Sequence, residues 1–354
     1  MSKKTKRIFR KSIILFAYII SAIIILLICT TFKKTSLNKL GYSKEDVAII
    51  EKLSKSEINI IKQYKYNKNT VKIVTDSEYK KENLNTYLDY LVTYNKPEGI
   101  VKYVNDYKDK IEISDTVLKI LSGKYFIDEY LDRYIDYYKE HSDLEIDEVI
   151  TRINANLDHT FYVDSKPADT SKGMYTLVNK FNSLDSNYVP DDLVQVDRRF
   201  TYNNTKLVSV ANDNFVKLAE AAEKENLHFL ATTCYRDYNF QSTLYYNYVN
   251  QDGVANADTY SARPGSSEHQ LGYSLDLTNN DWVDFDEFQN TKEYEWLKDN
   301  AHKYGFILRY PKGKEYITGY IFEAWHIRYV GVDVATYIYE NNITYEEYYA
   351  YFIR

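Results

Sequence analysis

Histidine and aspartate residues occur at spacings that suit a metal site in the C-terminal half of the chain. Of only six histidines, His269 and His326 have acidic residues placed where chemistry could follow. Asp276 comes seven residues after His269, within residues 272–277, which are predicted to form a strand. Alternation along a strand separates Asp276 from the apolar side chains of that segment. An unpaired carboxylate there would be costly, and a metal ion is a good partner for it.

Two histidine nitrogens and one aspartate oxygen would make a three-ligand zinc site with a fourth position open to water, which is the catalytic arrangement. Glu323, three residues before His326, is then the candidate general base: it would accept the proton of the water and pass it to the leaving amine. A regular strand points Glu323 and His326 to opposite faces, so this interpretation requires a bend or bulge between them. The alternative is a buried His–Asp pair without a metal.

The residues around both histidines resemble the motifs of a known enzyme family. Residues 267–276 read SEHQLGYSLD, similar to the motif S-x-H-x-x-G-x-[AS]-x-D of the D-alanyl-D-alanine metallocarboxypeptidases of the VanY type. Residues 323–326 read EAWH and resemble the second motif of that family, E-x-W-H. Arg236, followed five residues later by Gln241, resembles a third motif. The resemblance extends over about residues 170–334, just under half of the chain.

The resemblance also implies roles for individual residues. The implied zinc ligands and catalytic base are His269, Asp276, His326 and Glu323. The residues implied to hold the C-terminal carboxylate of the substrate and the adjacent peptide are Arg236, Gln241 and Ser267. Tyr310 resembles the family tyrosine that lines the cleft, where it would stabilise the oxyanion of the reaction. The planar guanidinium of Arg236 suits the binding of the substrate carboxylate, because it can form two parallel hydrogen bonds to it.

One position departs from the family pattern. Asp237 follows Arg236 in this chain, where the family commonly has serine. An acidic side chain next to the arginine could pair with it and weaken its hold on a substrate carboxylate. The role of Arg236 therefore depends on where the Asp237 side chain lies.

The segments that would position these residues alternate between helix and strand. Helical spacing and strand patterns predict helices at 215–222, 241–249 and 293–304, and strands at 227–233, 272–277 and 322–330. The mixture has no regular strand–helix–strand period, which is typical of the α+β class. We therefore predict an α+β zinc peptidase domain at residues 166–354, with an antiparallel sheet flanked by helices.

Composition and charge exclude several other classes. Aromatic residues make up 16% and charged residues 27% of the 354 residues, which excludes a disordered or fibrous chain. The net charge is −6, although the first eleven residues contain six Lys or Arg and no acid. The remainder is therefore acidic and unsuited to binding nucleic acid. With two cysteines, Cys29 and Cys234, a cysteine-rich zinc site is excluded.

The N-terminal segment indicates a membrane anchor. Residues 13–32 carry no charge, and as a helix they would span about 30 Å, the thickness of a bilayer core. The basic residues within 1–12 favour a cytoplasmic N-terminus, with the remainder of the chain outside. A cleaved signal peptide is the alternative, but the apolar run is long for one and lacks a small-residue cleavage site.

Residues 33–165 are predicted to form a helical extracytoplasmic spacer or docking region. Ser43 and Asp46 have the spacing of a capping box, which predicts a helix start. Residues 70–90 recur weakly at 116–137, an offset of 46–47 residues that would suit stacked helix pairs. Two similar amphipathic helices of biased composition are an equally good explanation.

These predictions combine into one function. The resemblance implies a D,D-carboxypeptidase that binds one zinc ion and removes the C-terminal D-alanine from peptidoglycan stem pentapeptides, and the apolar segment 13–32 would anchor it in the membrane. Its partners would be those peptides and, through residues 13–32, the membrane, with no nucleic acid. The alternatives are an L,D-carboxypeptidase acting on tetrapeptides, an endopeptidase acting on cross-links, and a wall-binding or sensor protein without catalytic activity.

Overall fold

The computed structural model describes residues 36–94, 99–108 and 114–354. The predicted basic tail at 1–12 and transmembrane helix at 13–32 lie outside these residues. Among the residues described, no helix has both the length and the apolar character needed to cross a bilayer. The chain forms two compact units, residues 1–122 and 123–354.

The described part of the first unit is helical. Its α-helices are α1 (Lys44–Ile50), α2 (Lys55–Gln63), α3 (Thr70–Val74), α4 (Leu84–Tyr94), α5 (Ile100–Tyr107) and α6 (Asp115–Leu121). The predicted capping box is confirmed, because Ser43 and Asp46 exchange hydrogen bonds at the start of α1. Apolar side chains from α1 to α5 form one buried cluster.

The predicted repeat is confirmed by matching elements and contacts. Each copy consists of a short helix, a 3-10 turn and two further helices. The helices of the first copy are α3, α4 and α5. The second copy has α6 followed by the helices at Leu131–Glu140 and Ile146–Asn154. Tyr87 in the first copy and Tyr134 in the second are fully buried, and each hydroxyl accepts the backbone N–H seven residues before it. The two hydroxyls donate to Asn105 and Asn154, whose amides donate to backbone carbonyls. Biased composition alone would not reproduce this hydrogen-bond pattern.

The second unit begins with the remaining helices of the repeat, α7 (Leu131–Glu140) and α8 (Ile146–Asn154). Near the C-terminus follow α14 (Val332–Asn341) and α15 (Tyr345–Phe352). The ring of Tyr351 in α15 stacks on Tyr125, with ring centroids 3.6 Å apart. The last part of the segment predicted as a spacer is thus packed within the same unit as the peptidase motifs.

The strands of the described residues form three sheets. Two are small: β1 (Lys166–Pro167) pairs in parallel with β2 (Asn182–Ser183), and β3 (Leu193–Gln195) pairs antiparallel with β4 (Lys206–Val208). The central sheet is antiparallel, with the order β5-β6-β8-β7. Its strands are β5 (Leu230–Thr233), β6 (Ser274–Thr278), β7 (Phe306–Tyr310) and β8 (Glu323–Tyr329).

The remaining helices are α9 (Ser209–Glu223), α10 (Tyr238–Tyr260), α11 (Phe285–Phe288), α12 (Lys292–Asn300) and α13 (Glu315–Thr318). They complete an α+β unit, so the predicted fold class and antiparallel sheet are confirmed. The sequence patterns missed β7 in the central sheet and the short strands β1 to β4. The apolar side chains Leu275 and Leu277 of β6 join the core with α9 and α12. The predicted alternation thereby directs Asp276 away from this core.

Candidate active site

The three predicted metal ligands come together because two strands pair at one register. Asp276 of β6 lies directly opposite His326 of β8. His269 belongs to a 3-10 turn, Glu268–Leu271, that leads towards β6. The turn ends at Gly272 with a φ of 74°, where a Cβ atom would come within 2.9 Å of Leu193. Only glycine fits this position without strain, so the turn depends on it.

The donor atoms of the three side chains converge. They lie within 4.8 Å of one another, and all three residues are buried. Nε2 of His269 is 3.4 Å from Oδ2 of Asp276, and Nδ1 of His326 is 3.0 Å from Oδ1 of the same carboxylate. Two imidazole nitrogens and a carboxylate oxygen are the donor set of catalytic zinc sites.

The hydrogen bonds of His269 test whether this donor set suits a metal. Nδ1 of His269 lies 2.6 Å from the backbone oxygen of Cys234, and a carbonyl can only accept, so Nδ1 carries the proton. The lone pair of Nε2 therefore faces Asp276, so two hydrogen-bond acceptors, Nε2 of His269 and Oδ2 of Asp276, lie 3.4 Å apart. A cation between them would remove this repulsion, so the residues fit a metal ion.

Electrostatics in the cluster agree with this interpretation. Burial, with the nearby positive charge of Arg236, lowers the pKa of His269 to about 4. Burial would also lower the pKa of His326, but the carboxylates around it, above all that of Asp276, outweigh it and raise the pKa to about 9. The carboxylates around His326 thus favour a positive charge at this point of the cluster.

Glu323 reaches the same cluster through the predicted irregularity in β8. Leu308 pairs with Ile327, but Tyr310 pairs with Glu323, so β8 uses four residues where β7 uses two. This bulge brings Oε2 of Glu323 to 3.9 Å from Nδ1 of His326. Burial raises the pKa of Glu323 to about 8. A carboxylate with a pKa near neutrality is suited to accept and return a proton.

The predicted carboxylate-binding residues lie beside the metal donors. Arg236 is held by a backbone hydrogen bond from its N–H to the carbonyl of His269, and its Nη1 is 3.9 Å from Oδ2 of Asp276. Gln241 donates to the carbonyl of Ala262, and Ser267 is buried at the start of the 3-10 turn. Among the described residues, Nε of Arg236 and Oε1 of Gln241 have no hydrogen-bond partner. Both side chains thus keep hydrogen-bonding capacity that a substrate could use.

Asp237 does not compete for the arginine. Its carboxylate accepts the backbone N–H of Phe240 at 2.8 Å and caps the N-terminus of α10. The departure from the family pattern is therefore a helix cap, and the expected pairing with Arg236 is absent from the described contacts. The same cap explains why α10 starts three residues before the predicted helix.

The eight predicted site residues line one cleft of about 590 Å³. Tyr310 is buried in its wall, with its ring centroid 5.0 Å from that of His326. Burial and the surrounding carboxylates raise the pKa of Tyr310 well above its usual value, so its hydroxyl stays protonated and can donate. The same cleft is also lined by Asp284 and Asp286 and by the aromatic and apolar side chains of Leu244, Tyr248, Tyr260, Phe285, Ile321 and Trp325.

Sequence reasoning missed a second set of charged residues behind the histidines. Glu268 is fully buried, and its Oε2 lies 3.8 Å from Nε2 of His326. Arg309 donates from Nε to Glu268 at 2.8 Å and forms two hydrogen bonds to Glu346. Glu268 could have been noticed in the sequence, because it is a charged residue within the motif at 267–276 that contains two of the metal donors. The sequence around Glu346 contains no comparable signal.

Comparisons with known proteins agree with this geometry. The family model described as VanY, D-alanyl-D-alanine carboxypeptidase, matches residues 204–332, a range that includes all eight predicted site residues. The YodJ protein of Bacillus subtilis (strain 168) is 37% identical over 206 residues, which are 55% of this chain and 76% of that protein. A D-alanyl-D-alanine carboxypeptidase of Enterococcus faecalis (strain ATCC 700802 / V583) is 30% identical over 200 residues, 54% of this chain and 71% of that enzyme.

Among solved structures, the LdcB LD-carboxypeptidase is 40% identical, with a TM-score of 0.47 over 49% of this chain and 85% of that one. The family assignment rests on the family model and on the two sequence relatives, of which this chain matches 76% and 71%. This chain belongs to the VanY family of D-alanyl-D-alanine carboxypeptidases.

Proposed function

We propose that this protein is a zinc-dependent D,D-carboxypeptidase that removes the C-terminal D-alanine from peptidoglycan stem pentapeptides. One observation carries the proposal: three metal-donor atoms converge next to Arg236 and Gln241, each of which has one polar atom without a hydrogen-bond partner among the described residues. The donors suit hydrolysis, the guanidinium of Arg236 suits recognition of a free carboxylate, and the amide oxygen of Gln241 can accept a peptide N–H.

His269, Asp276 and His326 would hold the zinc ion. Bound zinc supplies Lewis acidity, which polarises a carbonyl group and lowers the pKa of a water molecule to about 7. The chain supplies the remaining chemistry. Glu323 would take a proton from the attacking water and deliver it to the leaving amine of D-alanine. Its burial in the wall of the cleft keeps bulk water from competing for that proton.

Arg236 would bind the terminal carboxylate of the substrate, and this contact separates a carboxypeptidase from an endopeptidase. A guanidinium beside the metal donors fixes the register, so that the bond adjacent to the terminal residue lies at the reacting centre. Gln241 and Ser267 would bind the polar groups next to that carboxylate. The protonated hydroxyl of Tyr310 would donate to the oxyanion that develops on the scissile carbonyl.

The preference for a D,D bond is supported by relatives whose names describe D-alanyl-D-alanine carboxypeptidases. Hydrolysis of an L,D bond would use the same residues, because both reactions release a C-terminal D-alanine with a free carboxylate. We also propose that residues 13–32 anchor the chain in the cell membrane, with the peptidase unit outside, where peptidoglycan is located.

The test uses the full-length chain with a muramyl pentapeptide, a muramyl tetrapeptide and a pentapeptide with an amidated C-terminus. Each is incubated with zinc or with a chelator, and products are identified by mass spectrometry. Loss of one alanine from the free pentapeptide alone, abolished by the chelator and by His269→Ala, is the expected result. Cleavage of the tetrapeptide alone would indicate an L,D-carboxypeptidase, and equal cleavage of the amidated peptide would indicate an endopeptidase. No cleavage by the zinc-bound protein would favour a wall-binding or sensor protein.

A further inference from the structure

Glu268 occupies a position that its ion pairs alone do not explain. Its two carboxylate oxygens face different partners. Oε1 accepts Nε of Arg309 at 2.8 Å and lies 3.3 Å from Nη1 of Arg328. Oε2 is turned the other way, towards Nε2 of His326 at 3.8 Å, with a weak contact from Ser274 at 3.4 Å. One carboxylate thus connects buried arginines to an imidazole of the site.

His326 needs such a partner. Its Nδ1 faces Asp276, while Nε2 is buried and has no hydrogen-bond partner within the described part of the chain. A neutral imidazole that gives the lone pair of Nδ1 to a metal must carry its proton on Nε2. A buried N–H without an acceptor is costly, and Glu268 is the carboxylate nearest to it.

We propose that Glu268 is a positioning residue for His326: held by Arg309 and Arg328, it accepts the Nε2 proton and so presents Nδ1 to the metal ion. The inference rests on the proposed zinc site. A ligating histidine that donates its second N–H to a carboxylate has a fixed tautomer and ring orientation and is a stronger ligand. The side chain of Glu268 cannot turn away, because Arg309 is itself held by two hydrogen bonds to Glu346.

A structural ion pair is the competing explanation, and the chain offers a matched control for it. Glu346 is buried and pairs with the same arginine from the opposite side, but it is not among the contacts of His326. Glu268→Gln and Glu346→Gln each remove one negative charge from the same buried group with almost no change in volume. Both should lower the stability of the protein, whereas only the first removes the carboxylate facing His326.

The experiment measures zinc affinity of the wild type and both variants by competition with a chromogenic chelator, and the visible spectrum of each after loading with Co²⁺. Circular dichroism first identifies a temperature at which all three are folded. We expect Glu268→Gln to bind zinc about 10–100-fold more weakly and to change the Co²⁺ spectrum. Glu346→Gln should remain close to the wild type in both. Equal affinities and spectra for the two variants would overturn the role of Glu268, and a wild type that binds no zinc would instead overturn the proposed function.

A second measurement needs no variant, should Glu268→Gln fail to fold. In the zinc-loaded wild type, a long-range ¹H–¹⁵N correlation spectrum identifies which ring nitrogen of His326 carries hydrogen. We expect the proton on Nε2 with slow exchange against solvent. A proton on Nδ1, or rapid exchange at Nε2, would contradict the proposed contact with Glu268.

Discussion

Two buried charge clusters lie on either side of His326, and they differ in how completely their charged groups are paired. The arginine cluster contains Glu268, Arg309, Arg328 and Glu346, two acids and two bases. The site cluster contains Asp276, Glu323, His269, His326 and Arg236. In the first, Arg309 uses Nε and both Nη atoms in hydrogen bonds to carboxylates. Nη1 of Arg328 makes no hydrogen bond but lies 3.3 Å from Oε1 of Glu268. In the second cluster, polar atoms of Arg236 and His326 have no hydrogen-bond partner within the described chain.

The comparison is clearest for one residue type in the two environments. Glu268 and Glu323 are both buried, with 1% and 8% of their surface exposed. Burial raises the pKa of both, but Arg309 and Arg328 reverse this for Glu268 and hold its pKa far below the usual range. Glu323 has no such pairing, and its pKa rises to about 8. Burial by itself therefore does not separate the two carboxylates; what distinguishes Glu323, the proposed base, is burial without a matched cation.

The largest effect is expected from Glu323→Gln. The amide keeps the size of the side chain but cannot accept the proton of water, so kcat should fall by about 10²–10⁴-fold or more. Zinc content, measured by elemental analysis, should stay at the wild-type level, and the free energy of unfolding should not decrease. Near-normal turnover would remove Glu323 as the base, and loss of zinc would make it a ligand.

A substitution in the arginine cluster should change the free energy of unfolding. Arg309→Met leaves the carboxylates of Glu268 and Glu346 buried without their main partner, so the free energy of unfolding should fall by about 3–5 kcal/mol. Urea denaturation measures this change. The control is Arg199→Met, which removes an arginine paired with Asp197 and Glu220 at the surface, where ion pairs contribute about 0–1 kcal/mol. Equal losses in the two variants would contradict the distinction drawn between buried and exposed pairs.

The same Arg309 variant should also change the acid side of the stability profile. The pKa of Glu268 is lower in the folded protein than the 4.5 of a free glutamate. Its contribution to stability is therefore complete above about pH 4.5 and is lost as the pH falls below that value. Arg309→Met should flatten this part of the profile, and an unchanged slope would mean that Arg309 is not what lowers the pKa of Glu268.

Much of the site was predictable from the sequence because it depends on local patterns. Strand alternation separates Asp276 from Leu275 and Leu277. The bulge in β8 was predicted because Glu323 and His326 must lie on the same face of the strand to act together. The structure adds the register that sets Asp276 against His326. Register arises from pairing between distant segments, so a single sequence contains no local signal for it.

The arginine cluster was not predicted, for a related reason. Arg309 lies in β7, a short strand whose sequence FILRY resembles many buried segments, and its partner Glu346 is 37 residues further along the chain. Nothing in a local pattern distinguishes a glutamate that will pair with a buried arginine from one in a solvated helix. Only the folded chain shows that Glu346, in the first turn of α15, faces inward.

The smallest effect is expected for Arg236, which belongs to the site cluster and should matter for binding but not for stability. Arg236→Lys keeps the positive charge but loses the planar pair of donors. A charge-assisted hydrogen bond contributes about 1.5–3 kcal/mol, so kcat/KM for a free pentapeptide should fall by about 10–150-fold. Because the carboxylate is bound equally in the ground and transition states, the loss should appear in KM.

The free energy of unfolding of Arg236→Lys should remain within about 0.5 kcal/mol of the wild type, since Nε of Arg236 has no partner to lose among the described residues. Steady-state kinetics and urea denaturation on one preparation test both statements. A fall in kcat at constant KM would move Arg236 from substrate binding into the chemical step. A loss of stability as large as that of Arg309→Met would mean that Arg236 is a structural ion-pair residue, and the two clusters would no longer differ in kind.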